Sequence, residues 1–245
     1  MSETLRVATY NVHGCVGLDG QRSELRIAEV IASMSTDIVG LQELDLNRTR
    51  SAGVDQAALI AQQLGWHHLF APAMRQANDE DYGNAIISRY PIKLRRALPL
   101  PGSGTWYCRE TRVALWSEIE TALGRVHVVN THFGLGRRER LAQSLLLASA
   151  DQLGAHTANE PLILLGDFNS RRGSRALRVL RELLQDVRAV VGGAHGTFPT
   201  RFPLLAVDHI FANAALRPLS IRSHRTPLAR VASDHFPLLA EFATV

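Results

Sequence analysis

Six short apolar runs recur along this chain, and each meets a carboxylate, an amide or an imidazole at one end. Arg6-Val7-Ala8-Thr9-Tyr10 leads into Asn11, and Asp37-Ile38-Val39-Gly40-Leu41-Gln42 into Glu43. Val126-His127-Val128-Val129-Asn130-Thr131 leads into His132, and Leu162-Ile163-Leu164-Leu165-Gly166 into Asp167 and Asn169. Asp208 precedes His209-Ile210-Phe211, and Asp234-His235 precedes Phe236-Pro237-Leu238-Leu239. Apolar runs of this length, bounded by Gly, Pro or Asp, read as buried strands. Four of the polar groups close a strand and two open one. If the second kind run antiparallel to the first, all of them meet at one edge of the core. Carboxylates, amides and imidazoles gathered there make a hard-cation site with an acid or base beside it, the equipment of metal-assisted hydrolysis. Carboxylate and amide oxygens suit a hard cation such as Mg²⁺, Mn²⁺ or Ca²⁺ better than a structural zinc.

Helical periodicity fills the gaps between the runs. Arg22 to Ser35 places Leu25, Ala28, Ile31 and Ala32 on one face; Val54 to Leu64, Arg138 to Leu153 and Ser174 to Leu184 repeat the pattern. No repeat and no Pro/Gly/Ser linker divides the chain, and the polar groups come from both halves. One domain spanning residues 1–245, with helices outside and sheet inside, is the expectation. Gly- and charge-rich loops lie beside the key residues: Gly14 to Gly20, Asn78 to Gly83, Pro99 to Thr111 and Gly192 to Pro203. No apolar stretch approaches the roughly 18 residues of a membrane span. Without an n-region or h-region at Met1-Ser2-Glu3-Thr4, the expected location is the cytoplasm. Cys15 and Cys108 have no partner at zinc spacing and are expected as free thiols. The formal charge of +4 suits an anionic partner but identifies none, since Lys93 is the only lysine among the bases.

Each polar group also has a plain structural explanation. Asp167-Phe168-Asn169 after a strand can be an Asx-turn, and Asn11 and His132 can satisfy backbone groups in turns. Asp208-His209 and Asp234-His235 can be local ion pairs. Gly166 would let the chain turn sharply at the strand end, so that Asp167 and Asn169, two apart, point the same way. Arg137, Arg138 and Arg140 stand at a helix start, where positive charge opposes the dipole; Arg171, Arg172 and Arg175 follow Asn169 in the same manner. That placement suits a role facing an anion, the alternative being a solvated face. His67-His68 reads as structural. Joint occurrence at strand ends is what lifts the whole set above chance.

Taken together, Thr9-Tyr10-Asn11-Val12-His13, Leu41-Gln42-Glu43, Tyr82-Gly83-Asn84-Ala85-Ile86-Ile87-Ser88, Glu110-Thr111-Arg112, Asn130-Thr131-His132, Gly166-Asp167-Phe168-Asn169, Val207-Asp208-His209-Ile210-Phe211 and Ser233-Asp234-His235-Phe236-Pro237-Leu238 resemble the endonuclease/exonuclease/phosphatase superfamily, in its compact bacterial branch. They occur in the family's order from residue 9 to residue 238. The resemblance implies an α/β (α+β) four-layer sandwich, two packed mixed β-sheets flanked by helices. It also implies phosphate-ester hydrolysis with Mg²⁺ or Mn²⁺, Ca²⁺ being able to substitute in crystals. Carried over by position, Glu43 is the main metal ligand with Asn11 and Asp234 nearby. Asp167 activates water and Asn169 orients it, His132 and Arg112 face the phosphate oxygens, and His235, fixed by Asp208, touches the phosphoryl oxygen. Tyr82, Asn84, Arg138 and Arg172 are expected to bind substrate.

The substrate is the open part. The Thr131-His132 pair and the missing lysine run depart from the family's abasic-site endonucleases, and no added lipid-binding hairpin is visible. A phosphodiesterase acting on nucleic acid or on a small or lipid diester is the main expectation. A phosphomonoesterase of a sugar, inositol or lipid phosphate is the alternative, and an inactive anion-binding module the alternative of another class. Expected partners are a phosphate ester and, in the nuclease case, nucleic acid; the chain is expected to be a monomer.

Overall fold

Val-, Ile- and Leu-rich runs become strands because branched side chains pack well on a pleated surface. The computed structural model describes residues 3–75, 79–102, 110–149, 151–155, 160–193 and 196–245; Asn78 and Cys108 lie outside these. In chain order the elements are β1 (Leu5–Asn11), α1 (Glu24–Ser33), β2 (Ile38–Leu46), α2 (Gln56–Leu64), β3 (His67–Arg75), β4 (Asp81–Ser88), β5 (Ile92–Leu100), β6 (Arg112–Thr121) and β7 (Gly124–His132). Then follow α3 (Arg137–Ala148), β8 (Leu162–Asp167), α4 (Arg175–Arg181), β9 (Gln185–Asp186), α5 (Val187–Val191), β10 (Asp208–Ala212), β11 (Leu216–Ser223), α6 (Pro227–Ala232) and β12 (Leu238–Thr244). Helix starts are set by side-chain caps: Ser23 accepts from the Arg26 amide at 3.1 Å, Asp55 from Ala58 at 2.9 Å and Ser174 from Leu177 at 3.2 Å. The third helix stops at Ala148, short of the expected Leu153, because Ser149 takes extended dihedrals; Leu153–Ala155 is a separate turn.

Two mixed sheets of six strands result, ordered β11-β12-β1-β2-β4-β3 and β5-β6-β7-β8-β10-β9. Strand alternation splits each sheet's side chains between two faces. Leu5, Val7, Ile38 and Ile86 of the first sheet meet Leu115, Val128, Ile163 and Leu165 of the second in the central layer. On the outer face of the first sheet, Ala8, Tyr10, Val39 and Leu41 pack against Ile27 and Ile31 of α1 and Ala57 and Ile60 of α2. On the other side, Val129, Leu162, Leu164 and Phe211 pack against Leu147 of α3 and Leu177 and Leu180 of α4. This is the four-layer sandwich.

The strand directions bring the polar ends together. The pairs β1–β2 and β7–β8 are parallel, whereas β10 runs antiparallel to β8 and β12 antiparallel to β1. The antiparallel register sets Asp208 directly opposite Asp167. Asn11, His132 and Asp167 are the last residues of their strands. Glu43 is placed differently from the expectation: β2 continues to Leu46, and Glu43 sits in a bulge between Leu41 and Leu44 with φ 64°. A bulge turns one side chain out of the alternation, which is how a carboxylate leaves a strand that is otherwise buried.

Gly166 lies within β8 rather than at a turn. Its reason is steric: a Cβ there would lie 1.9 Å from the Thr131 carbonyl oxygen of β7. Gly166→Ala is therefore expected to lower stability by about 3 kcal/mol, through overpacking that cannot relax away from backbone. Thermal unfolding checks this; a variant with an unchanged Tm would remove the steric reading.

Candidate active site

Asp167 Oδ2 is the hub of the site. Asn11 donates to it through Nδ2 at 3.1 Å and with the same nitrogen to Glu43 Oε1 at 2.8 Å. Nε2 of His132 stands 3.6 Å away and Nε2 of His235 3.7 Å away. The other carboxylate oxygen, Oδ1, accepts the Asn169 amide at 2.8 Å, a local Asx bond that curls the chain after β8. The hub itself is 1% exposed, whereas the Glu43 side chain is 23% exposed, so the cluster opens to solvent on the Glu43 side.

The two imidazoles are held in opposite states. His235 donates through Nδ1 to Asp208 Oδ2 at 2.9 Å, and Thr197 donates to the same oxygen. Burial alone would lower the His235 pKa; the charges of Asp208 and Asp167 outweigh it and raise it to about 10. The Phe198 ring lies 4.7 Å from the His235 ring and closes its outer side. His132 Nδ1 instead faces Arg112 Nη1 at 3.1 Å. Arg112 can only donate, so Nδ1 is bare and the ring proton sits on Nε2. Burial, with Arg112 and His235 nearby, keeps this pKa well below 6.5, so the ring is neutral. Asn169 Nδ2, 3.1 Å from His132 Nε2, donates to the Phe133 carbonyl at 2.9 Å.

The remaining sequence candidates are placed as follows. Arg112 is buried behind His132, with Glu110 at 2.8 Å on its other side. Asp234 is partly exposed; Ser233 stands 3.4 Å from its Oδ1 and also donates to the Asn11 carbonyl at 2.8 Å. Tyr82 lines a recess of about 300 Å³ together with Glu43. Asn84 points away from the cluster, donating at 3.0 Å to the Val113 carbonyl across the sheets. Arg138 is exposed in the first turn of α3, and Arg172 lines a second recess, 3.6 Å from Asp186. Sequence reasoning missed Thr197, Phe198 and Ser233. Thr197 and Phe198 stand in an irregular loop, where periodicity carries no signal.

The donor set fits a hard divalent cation. Glu43 and Asp167 converge on one amide, the carboxylates are oxygen donors, and Glu43 faces solvent where water can fill further positions. Ligand atoms of Asp167, Asp208 and His235 also lie within 4.8 Å of one another. That trio is the poorer cation site, because His235 is protonated and Asp208 Oδ2 already accepts two hydrogen bonds.

The comparisons with known proteins agree with this architecture. The chain belongs to the Endonuclease/Exonuclease/phosphatase family, matching it over residues 8–235. Members of this superfamily hydrolyse phosphate esters. An uncharacterized protein of Escherichia coli K12, YbhP, is 28% identical over 97% of this chain and 96% of its own length. Among solved structures, an endonuclease/exonuclease/phosphatase from Beutenbergia cavernae is 23% identical with a TM-score of 0.80, covering 98% of this chain and 72% of that one. The mannosyl-6-phosphatase Bt3783 of Bacteroides thetaiotaomicron is 22% identical with a TM-score of 0.76, covering 98% and 99%. At these identities the likeness is one of fold. No helix among the described residues is long and apolar enough to cross a membrane.

Burial, then the Asp208 charge, raise the Asp167 pKa to about 7. A raised pKa contributes stability that is complete below the unfolded value and lost as pH rises through the folded one. For Asp167 the loss runs from about pH 4 to pH 7, and for His235 from about 6.5 to 10, with the same sign. Buried His132 and His209, whose pKa values are lowered, have the opposite sign below about pH 6.5, so the comparison belongs above that range: the cation-free protein is expected to show a lower calorimetric Tm at pH 9 than at pH 7. Mg²⁺ should raise Tm by several degrees at pH 8, as ligation at about 100 times Kd contributes about 2.7 kcal/mol, and by less at pH 5. Scanning calorimetry at these pH values, with Glu43→Gln as the variant that loses the Mg²⁺ response, checks this.

Proposed function

We propose that the protein is a divalent-metal-dependent phosphodiesterase. The observation that supports a diester is a recess at the polar cluster and a second recess walled by residues that adjoin the cluster in sequence. One, of about 300 Å³, contains Glu43. The other, of about 410 Å³, is walled by Arg171 and Arg172, which follow Asn169, and by Leu204, Leu205 and Ala206, which precede Asp208. A phosphate at the cluster then has room for one ester arm beside Glu43, and the second recess is the candidate for the other.

In this reading Glu43, with Asn11 beside it and Asp234 in support, holds the cation. A divalent cation bound there would neutralise charge on a phosphate oxygen. Asp167, buried between the two imidazoles, accepts a proton from the attacking water, and Asn169 orients that water. His132 donates from neutral Nε2 and His235 from protonated Nε2 to the phosphoryl oxygens, where charge grows in the transition state. Arg112 serves by keeping the proton of His132 on Nε2.

Bis(p-nitrophenyl) phosphate should be hydrolysed with Mn²⁺ or Mg²⁺ at higher kcat/KM than p-nitrophenyl phosphate, and chelation should abolish both activities. Asp167→Asn should keep its circular dichroism and lose about 10²–10⁴-fold in kcat, the usual worth of a general base. Full activity after exhaustive chelation, or a loss below threefold in Asp167→Asn, would defeat this reading.

Asp208 and His235 act as one unit in this scheme, so their losses should not multiply. Asp208→Asn is expected to lower kcat more than it raises KM, since the missing charge matters most in the transition state. The double variant Asp208→Asn/His235→Ala should be no slower than His235→Ala within about threefold. A double variant slowed by the product of the single losses would separate the two residues.

A further inference from the structure

The recess beside Glu43 has an unusual lining. Arg22, Arg48 and Arg50 share its wall with Glu43, Asp45 and Glu110, beside the Tyr82 ring. Most of these charges are already satisfied. Arg50 grips buried Asp45 with two nitrogens, at 2.8 and 2.6 Å, and Arg48 lies 3.7 Å from Asp45 and 3.9 Å from Glu80. Both guanidinium groups lie over the Tyr82 ring, at 5.9 and 5.4 Å from its centre. Glu110 is taken by Arg112 at 2.8 Å. Arg22 is exposed and donates only to the Arg50 carbonyl; among the described residues it meets no carboxylate. Among the described residues, the recess thus presents one guanidinium without a carboxylate partner, on a wall stiffened by its two neighbours, next to the proposed cation site.

We propose that this recess is a subsite for a second anionic group, a carboxylate or phosphate, carried on one ester arm of a small substrate and held by Arg22 with the free edge of Arg50. The inference rests on the phosphoesterase reading of the neighbouring cluster. Guanidinium suits the task because its planar fork matches carboxylate and phosphate oxygens. Size points to a compact arm: about 300 Å³ is at the lower end for small-molecule pockets. Charge pattern points the same way. A nucleic-acid backbone presents a regular row of phosphates and calls for a continuous basic track. Here three carboxylates interrupt the three arginines, so a single anion finds a partner where a row of phosphates would meet repulsion.

The test compares 2-phosphoglycolate with ethyl phosphate, which share the phosphate and differ in the second anion. With Mn²⁺-loaded protein, 2-phosphoglycolate should inhibit bis(p-nitrophenyl) phosphate hydrolysis roughly tenfold more tightly, the lower range for a charge-assisted hydrogen bond. Arg22→Gln should erase that preference, and Arg22→Lys, which keeps charge without the fork, should retain part of it. Calorimetric titration of both compounds into the Mn²⁺-loaded proteins measures the same preference without turnover. Equal affinity for the two compounds in the wild type, or a preference that survives in a folded Arg22→Gln, overturns the subsite. If bis(p-nitrophenyl) phosphate is cleaved, that result leaves the phosphoesterase reading standing. If no ester is cleaved but calorimetry shows an Arg22-dependent preference, the subsite stands and the catalytic reading falls. A single-stranded oligonucleotide that competes more tightly than 2-phosphoglycolate would also overturn the small-substrate assignment.

Discussion

Buried amides that bridge the two sheets are the constraint on which the site depends. Gln42 of β2 donates to Asn130 of β7 at 2.7 Å, and Asn130 returns two bonds of 2.8 Å, to the carbonyls of Leu41 and Ala85. Asn84 reaches Val113, and Asn11 reaches Asp167. Apolar faces alone tolerate sliding, since hydrophobic attraction has no direction. An amide in a dry interface does not: moved out of register it leaves a buried group unpaired, at about 1–3 kcal/mol. Gly40 makes room for the bridge, because a Cβ there would lie 2.8 Å from Asn130 Cγ and 2.2 Å from Leu165. The catalytic candidates need that lock. Asn11 and Glu43 stand on one sheet and His132, Asp167 and Asp208 on the other.

A second consequence concerns the imidazoles. Two histidines flank one carboxylate at nearly equal distance, yet the protein gives one a carboxylate partner and the other a guanidinium. The difference matters because two protonated rings this close would repel each other, and two neutral rings would leave developing negative charge without a cation from the protein. One of each supplies two donors to the same region with a single added charge. Asp208 and Arg112 are therefore as much a part of the arrangement as the rings they hold.

Much of this was legible before the fold was known, and the limits have physical causes. The apolar runs were readable because burial on both faces keeps charged side chains out of their interiors, although Gln42 and Asn130, the amides that bridge the sheets, lie within them and gave no sign of that role. The helix positions followed from periodicity, but the end of α3 did not, since Ser149 departs from helical dihedrals without a Gly or Pro to mark it. Glu43 was found as a residue and misplaced as geometry: a bulge depends on how two strands pair, which one strand does not encode. Arg112 was expected to face phosphate oxygens; its contact with His132 Nδ1 at 3.1 Å was not foreseen, because spacing along β6 and β7 does not say which long side chain crosses to which neighbour. Thr197 had no local signal, as its partner Asp208 is eleven residues away across an irregular loop.

The arginine-rich composition shows the same limit from another side. Read as a surface property, a basic chain with a single lysine invites a polyanionic partner. In the folded protein, several of those arginines face inward or are spoken for. Arg48 and Arg50 neutralise Asp45, Arg172 and Arg181 approach fully buried Asp186, and Arg112 answers Glu110 and His132. Planar, weakly hydrated guanidinium is the cation suited to such half-buried pairings, where ammonium would be harder to desolvate. Net charge therefore overstates how much positive field reaches an approaching ligand. What acts on a ligand at the recess is set locally, by guanidinium groups such as Arg22, which shares that recess with Glu43 and, among the described residues, meets no carboxylate.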